Sequence, residues 1–141
     1  LDPQTNASIM AAGPDKWNTL RENERTLDFF FESYIVQQKP KPFKSLIESK
    51  VSDLKGKPDV ALCAAAPEFR IVERDMIENF VKRGFHIDQI QKWICERFAN
   101  GLKTVINDYD YILIDCPPGI SLFAEAALIA ADAILVPTIP D

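Results

Sequence analysis

The sequence predicts an α/β fold in which a parallel sheet is flanked by helices on both faces. Two short runs, residues 111–114 and 133–136, are apolar at every position, as strands are when helices cover both faces of a sheet. Elsewhere, apolar residues recur at the three- and four-residue spacing of amphipathic helices. Such strands, alternating with helices, are joined by right-handed crossovers into a doubly wound parallel sheet.

Five stretches carry the helical pattern, and most have a recognisable start or stop. Thr26 is suited to cap the first helix, and Pro67 lies in the first turn of the third, where its missing amide costs little. Gly84 ends that third helix, and Ser121 is suited to cap the last one. A further apolar run at 60–64 is too short for a surface helix and predicts another buried strand. The predicted helices cover residues 27–35, 43–54, 67–84, 87–105 and 121–130.

Composition narrows the class of protein. A chain of 141 residues with 47% hydrophobic content can bury one core. Its apolar runs are shorter than the roughly eighteen residues of a membrane helix, and its first residues lack the pattern of a signal peptide, so we expect a cytoplasmic protein. Cys63, Cys95 and Cys116 are widely spaced and odd in number, which fits neither a disulfide framework nor a zinc site. We expect them to be buried.

The charge of the chain argues against nucleic-acid binding by this part of the protein. The net charge is -5, so bulk electrostatics do not favour contact with phosphate. The basic cluster of Lys39, Lys41 and Lys44 could touch phosphate, but its interleaved prolines are more typical of a solvated connector. Any contact with DNA is therefore expected from elsewhere in the protein.

The segment Ile114-Asp115-Cys116-Pro117-Pro118 places an aspartate at the end of the predicted strand 111–114. In open parallel sheets, ligands bind beyond the carboxyl ends of the strands. A carboxylate held there can grip the water shell of Mg²⁺, and the two prolines stiffen the chain that follows. Aspartate is also an ordinary turn or helix-cap residue, so this segment alone leaves both interpretations open.

Two segments together resemble the ParA family of deviant Walker ATPases, whose members partition plasmids and chromosomes. The first is Asp2-Pro3-Gln4-Thr5-Asn6, and the second is Ile114-Asp115-Cys116-Pro117-Pro118. Residues 61–65 and 131–137 are also similar to the family's middle strand and to the strand after its Walker B segment. The resemblance spans most of the chain, is weakest over residues 9–58, and implies a P-loop NTPase fold.

The resemblance implies different roles for two carboxylates. Asp2 matches the catalytic residue that orients the attacking water, and Asp115 matches the Walker B residue that holds Mg²⁺ through water. Phosphoryl transfer depends mainly on positioning and charge neutralisation, so two carboxylates and a metal suit that chemistry. The alternative for Asp2 is an ordinary residue of an Asp-Pro turn.

Five further residues are implied to line the nucleotide site. Pro3 and Gln4 belong to the family's first switch segment, while Pro117, Pro118 and Gly119 follow the Walker B aspartate. Gly119 stands where the family often has serine, which puts the movement of this second switch in doubt.

The glycine-rich KGGxGKT loop that cradles phosphates in the ParA family has no match here. The chain holds one Gly-Lys pair, Gly56-Lys57, and proline follows it. We therefore expect residues 1–141 to be the central part of a single ParA-like ATPase domain, incomplete at both ends, with the P-loop strand encoded before residue 1. This stretch alone is expected not to hydrolyse ATP.

The resemblance also implies cofactors and partners. They are ATP and Mg²⁺, a second copy in a homodimer of the intact protein, a ParB-like stimulating partner, and non-specific DNA contacted by regions outside this chain. One alternative is a MinD-like or carboxysome-positioning ATPase, which shares the chemistry but moves another cargo. Another is a non-catalytic interaction module with the same fold. A P-loop in the intact gene would favour an ATPase, and its absence would favour the module.

Overall fold

The computed structural model describes residue 1 and residues 4–35, 40–51 and 59–138 of the chain. Within these residues, β1 and β2 pair antiparallel, with Ile47 opposite Cys63. Two short 3₁₀ helices occupy Phe43–Leu46 and Ile106–Asp108. The longer elements are α1 (Asn6–Ala12), α2 (Pro14–Glu22), α3 (Leu27–Ile35), β1 (Ile47–Glu48), β2 (Leu62–Cys63), α4 (Phe69–Lys82), α5 (Ile87–Lys103) and α6 (Leu122–Ala130).

Four of the five predicted helices are confirmed, as α3, α4, α5 and α6, and each contributes buried apolar residues to the core. α3 covers the residues predicted for it, and α4 ends just before Gly84, which has a φ of 86°. The Ser121 hydroxyl accepts a hydrogen bond from the amide of Ala124 at 3.1 Å and so caps α6 as predicted. The buried residues of α4 and α5 are Phe69, Val72, Met76, Phe80, Ile90, Ile94, Phe98 and Gly101.

Aromatic rings form the centre of the core, where α3, α4, α5 and α6 meet. Phe31 is fully buried, and its ring centroid lies 4.6 Å from that of Phe123. Phe69 packs on Phe123 with 4.2 Å between ring centroids, so α4 and α6 are joined by direct ring contact. Aromatic pairs of this kind contribute about 0.5–1.5 kcal/mol each beyond the area that they bury.

The predicted helix over residues 43–54 is wrong over its first half. Phe43 and Leu46 are buried on a 3₁₀ turn, and the chain then turns into β1. A three-residue apolar spacing suits a 3₁₀ turn as well as an α-helix, so the pattern does not distinguish them. The Arg25 guanidinium donates to the carbonyl oxygens of Ser45 and Ile47, which satisfies acceptors that an α-helix would use internally. Residues 52–58 lie outside the described part of the chain.

Of the three predicted strands, the run 60–64 is confirmed at Leu62–Cys63, where it pairs with β1. Residues 111–117 and 133–138 have no regular secondary structure, and Tyr111, Leu113 and Leu135 are 87%, 86% and 85% exposed. A strand depends on hydrogen bonds to a neighbour, and within the described residues the sheet has two strands. The parallel sheet is therefore not confirmed, although both runs have the apolar composition of buried strands.

The amino-terminal helices α1 and α2 were not predicted, because their sequences lack a clear apolar stripe. Gly13, with a φ of 77°, separates them, and Pro14 begins α2 at its first position. Among the helices in the described residues, none is long and apolar enough to cross a membrane.

Candidate nucleotide-switch site

The loop from Asp115 to Ser121 joins the apolar run 111–114 to α6. Ile114 is partly buried against the core, whereas Asp115 is exposed to solvent. Pro117 is half-buried, and Gly119 has a φ of 105°, a left-handed conformation in which a side chain is strained. A serine at position 119 would therefore be strained in this loop, and glycine is the residue that the local backbone favours.

A cleft of about 130 Å³ lies beside this loop. Leu1, Pro117 and Pro118 share its wall, so the first residue of the chain lies close to the two prolines that follow Asp115. Asp2 and Pro3 lie outside the described residues, and Gln4 is exposed. The polar residues that line the cleft are Arg70, Glu73 and Ser121.

The residues after Gln4 are hydrogen-bonded to the chain just beyond the carboxyl end of β2. Thr5 is buried in the left-handed conformation with a φ of 60°, and α1 begins immediately after it. The hydroxyl of Ser8 accepts a hydrogen bond from the amide of Ala65 at 3.0 Å. The indole of Trp17 donates to the carbonyl oxygen of the same residue, Ala65, at 2.9 Å. Two helices thus dock on one residue just beyond the carboxyl end of β2.

A buried carboxyl group lies near the carboxyl end of β2. Asp28 is 1% exposed, and its Oδ1 has no hydrogen-bond partner among the described residues. Burial raises the pKa of Asp28, and the nearby carboxylate of Glu68 adds to the increase. Thr26 and the guanidinium of Arg21 partly offset the increase in pKa. No sequence pattern indicates this buried group, because Asp at the second position of a helix is ordinary.

The cysteines differ in their surroundings. Burial raises the pKa of Cys63 to about 12, so this thiol is inert at neutral pH. Cys95 is partly buried, while Cys116, beside Asp115, is exposed. The expectation that all three are buried holds in part for Cys63 and Cys95, which are partly buried against the core, and is wrong for Cys116, because no strand among the described residues pairs with the run before it.

One residue of the site was missed by the sequence patterns. Glu73 on α4 accepts a hydrogen bond from the amide of Leu122 at 2.9 Å, so it contacts the start of α6 directly. In the sequence, Glu73 follows the buried Val72 and has the appearance of an ordinary solvated helix position. A contact between separate helices leaves no local pattern, and this one could not have been found from the spacing of residues.

The donor set of the loop suits a hard cation held through water. Asp115 offers carboxylate oxygens on an exposed loop, and oxygen is the ligand that Mg²⁺ prefers. Across the described ranges, no three His, Cys, Asp or Glu side chains converge to hold a metal directly. A Mg²⁺ ion near Asp115 would take its other ligands from water and phosphate oxygens, as Mg²⁺ commonly does.

Comparison with known proteins gives one match along the whole chain and several short ones. The model of the family described as "AAA domain" matches residues 1–141. The chain is 46% identical over 41 residues to an uncharacterized protein of Pseudomonas putida, which is 29% of this chain and 16% of that protein. It is also 46% identical over 41 residues to the chromosome partitioning protein ParA of Myxococcus xanthus, 29% of this chain and 14% of that protein.

A third relative is the sporulation initiation inhibitor protein Soj of Bacillus subtilis, 44% identical over 41 residues, or 29% of this chain and 16% of Soj. The matched stretches thus span less than a fifth of these relatives' length. No solved structure matches the chain.

Proposed function

The chain belongs to the AAA domain family, as a ParA-type P-loop ATPase sequence, and from this premise we propose that the complete protein is an ATP-dependent partitioning ATPase. Its cargo would be a plasmid or a chromosome, and the protein would be located in the cytoplasm. The observation that best supports the proposal is the cleft in which Leu1 lies beside Pro117 and Pro118. It brings Leu1, the residue before the proposed first switch segment, close to two prolines of the proposed second switch, although the two are far apart in sequence.

Two carboxylates have separate roles in this proposal. Asp2 orients the water that attacks the terminal phosphate, and Asp115 holds Mg²⁺ through the metal's water shell. When bound, Mg²⁺ neutralises charge that develops on the phosphate oxygens. Asp115 suits its role because it is exposed on a loop whose neighbouring Ile114 is fixed against the core.

The remaining residues of the two switch segments position the nucleotide. We assign Pro3 and Gln4 to the first switch, and Pro117, Pro118 and Gly119 to the second. The prolines restrict φ and so limit the conformations that the second loop can adopt. In the complete protein, residues 111–114 and 133–136 would be neighbouring strands of the parallel sheet. The protein would act as a homodimer, with a ParB-like partner and non-specific DNA binding outside this chain.

The assignment predicts that two substitutions in the complete protein act differently. Asp2→Ala should lower ATP turnover by at least about a hundredfold while leaving ATP affinity nearly unchanged, because Asp2 orients water and does not hold phosphate. Asp115→Ala should weaken Mg²⁺-dependent ATP binding by about 10–100-fold and lower turnover with it, because a partner of the metal's water shell is lost. Titration of ATP affinity and steady-state turnover measure both effects.

Asp110→Ala is the matched control, because Asp110 is an exposed aspartate just before the apolar run. It should leave both quantities unchanged. Loss of ATP binding in Asp2→Ala, or normal turnover in either variant, would contradict the assigned roles. A wild-type complete protein that neither binds nor hydrolyses ATP would favour the non-catalytic alternative.

A further inference from the structure

The first amide of α6 is bonded to a side chain from another helix. The first four amides of a helix have no partner within it, so each needs a hydrogen bond from elsewhere. The Ser121 hydroxyl accepts from the amide of Ala124. The carboxylate of Glu73, on α4, accepts from the amide of Leu122 at 2.9 Å. A carboxylate at this end of a helix is also favoured by the helix dipole.

Glu73 is itself held in place by the packing of α4. It is half-buried and lies between Val72 and Met76, both of which are buried. One turn earlier, Phe69 packs on Phe123, the residue that follows Leu122. The hydrogen bond from Leu122 and this ring contact lie side by side, so α4 fixes the start of α6 by two neighbouring contacts.

The loop that carries Asp115 is thereby anchored at both ends. At its beginning, Ile114 packs against the core. At its end, Leu122 is bonded to Glu73. Between these anchors, Gly119 adopts a φ of 105° and Ile120 is 92% exposed, so this part of the loop has little packing of its own. The position of the loop thus depends on its two ends.

We infer that Glu73 is a positioning residue that holds the loop from Asp115 to Gly119 in place by accepting the amide of Leu122. The inference rests on the proposed function for its effect on turnover, while the anchoring itself does not depend on that function. Glu73 also lines the cleft shared by Leu1, Pro117 and Pro118, so its loss would release the loop at the wall of that cleft.

The test uses the complete protein with Glu73→Ala and Glu73→Gln. In Glu73→Ala the acceptor is lost, so hydrogen exchange at the amide of Leu122 should become at least about tenfold faster. ATP turnover should fall by about tenfold or more, because misplacement of a catalytic loop lowers the rate, while ATP affinity changes by less than about threefold. Glu73→Gln keeps an acceptor oxygen and should retain wild-type exchange and turnover.

Glu78→Ala is the matched control on the same helix. Glu78 is exposed, and its carboxylate pairs with Lys82 one turn further along α4 at 3.6 Å. This variant should leave exchange and turnover unchanged. Where Glu73→Ala does not fold, Glu73→Asp serves instead, because it keeps the charge and withdraws the carboxylate by one methylene group.

Each outcome decides the inference. Faster exchange and lower turnover in Glu73→Ala, both restored in Glu73→Gln, support it. Unchanged exchange at Leu122 in Glu73→Ala overturns the anchoring. Faster exchange with normal turnover would mean that Glu73 only caps α6, and this result overturns the positioning role. A wild-type protein without ATP turnover contradicts the proposed function instead, and exchange at Leu122 then supports or overturns the anchoring on its own.

Discussion

Asp28 is a carboxyl group with almost no access to water. It is 1% exposed, and Thr26 beside it is fully buried. The charges that act on Asp28 come from two other segments, with Arg21 on α2 lowering the pKa and Glu68 before α4 raising it. Because burial dominates, the pKa of Asp28 lies above its ordinary value of 3.8. Its negative charge therefore destabilises the fold wherever the carboxyl group is ionised.

The sign of this effect predicts the behaviour of Asp28→Asn. The folded chain binds the proton more tightly than the unfolded chain, so the free energy of unfolding decreases as the pH rises from 3.8 through the folded pKa. At pH 7 the variant should melt at a higher temperature than the wild type, by about 3–5 °C for each kcal/mol gained. The gain should disappear below pH 3.8. Thermal melts over this pH range measure it.

The matched control is Asp15→Asn, an exposed aspartate in the first turn of α2. Its melting temperature should show no comparable gain at neutral pH. A lower melting temperature for Asp28→Asn at pH 7 would mean that the carboxylate is stabilised by its surroundings, contrary to its burial.

At the scale of elements, the sequence predicts helices better than strands, and the reason is physical. The buried face of α4 is encoded within α4, because Phe69, Val72, Met76 and Phe80 recur at helical spacing. The runs 111–114 and 133–136 need partners from distant parts of the chain, and no local pattern supplies those. The same difference holds in the site. The motif around Asp115 is contiguous and could be predicted, whereas the contact between Glu73 and Leu122 joins two elements and could not.

The helix α5 contains a close approach that its sequence does not reveal. A Cβ atom at Gly101 would lie 2.7 Å from Cδ2 of Phe43 and 3.0 Å from Cζ of Phe30. Helix propensity favours alanine over glycine by about 1 kcal/mol. We nevertheless expect Gly101→Ala to destabilise the fold by about 1–3 kcal/mol, because the added methyl group overpacks the core. Chemical denaturation measures the change.

Two comparisons complete this test. Asn100→Ala, at an exposed neighbouring position of α5, should leave the free energy of unfolding nearly unchanged. Adding Phe43→Leu to Gly101→Ala should recover part of the loss, because the smaller side chain makes room for the methyl group. A more stable Gly101→Ala variant would show that Phe43 moves aside without cost.

At the scale of the whole molecule, two apolar runs, 111–114 and 133–136, are largely exposed among the described residues. Leu113, Leu135 and Val136 are 86%, 85% and 75% exposed. Exposed apolar runs of this kind favour association with dyes and with other chains. The AAA domain family model matches the whole chain, yet the two runs remain outside the two-stranded sheet.

This exposure predicts that residues 1–141, produced alone, bind the dye ANS. The double variant Leu113→Lys/Leu135→Lys should reduce the dye's fluorescence without lowering the melting temperature, because neither side chain packs in the core. Ile71→Lys, which charges a 52% exposed position on α4, is the control and should change the fluorescence less. Fluorescence unaffected by the double variant would indicate that the two runs are covered in solution.

The phenylalanine core has an optical consequence. The rings of Phe31, Phe69 and Phe123 absorb and emit weakly, whereas both tryptophans lie at the edge of the packed region. Trp17 donates its indole N–H to Ala65 and lies 4.8 Å from the guanidinium of Arg21. Trp93 packs against Phe80 with 5.1 Å between ring centroids. The tryptophan emission of the protein therefore reports the docking of α2 onto the chain just beyond β2 and the contact between α4 and α5. The phenylalanines at the centre of the core contribute almost nothing to this emission.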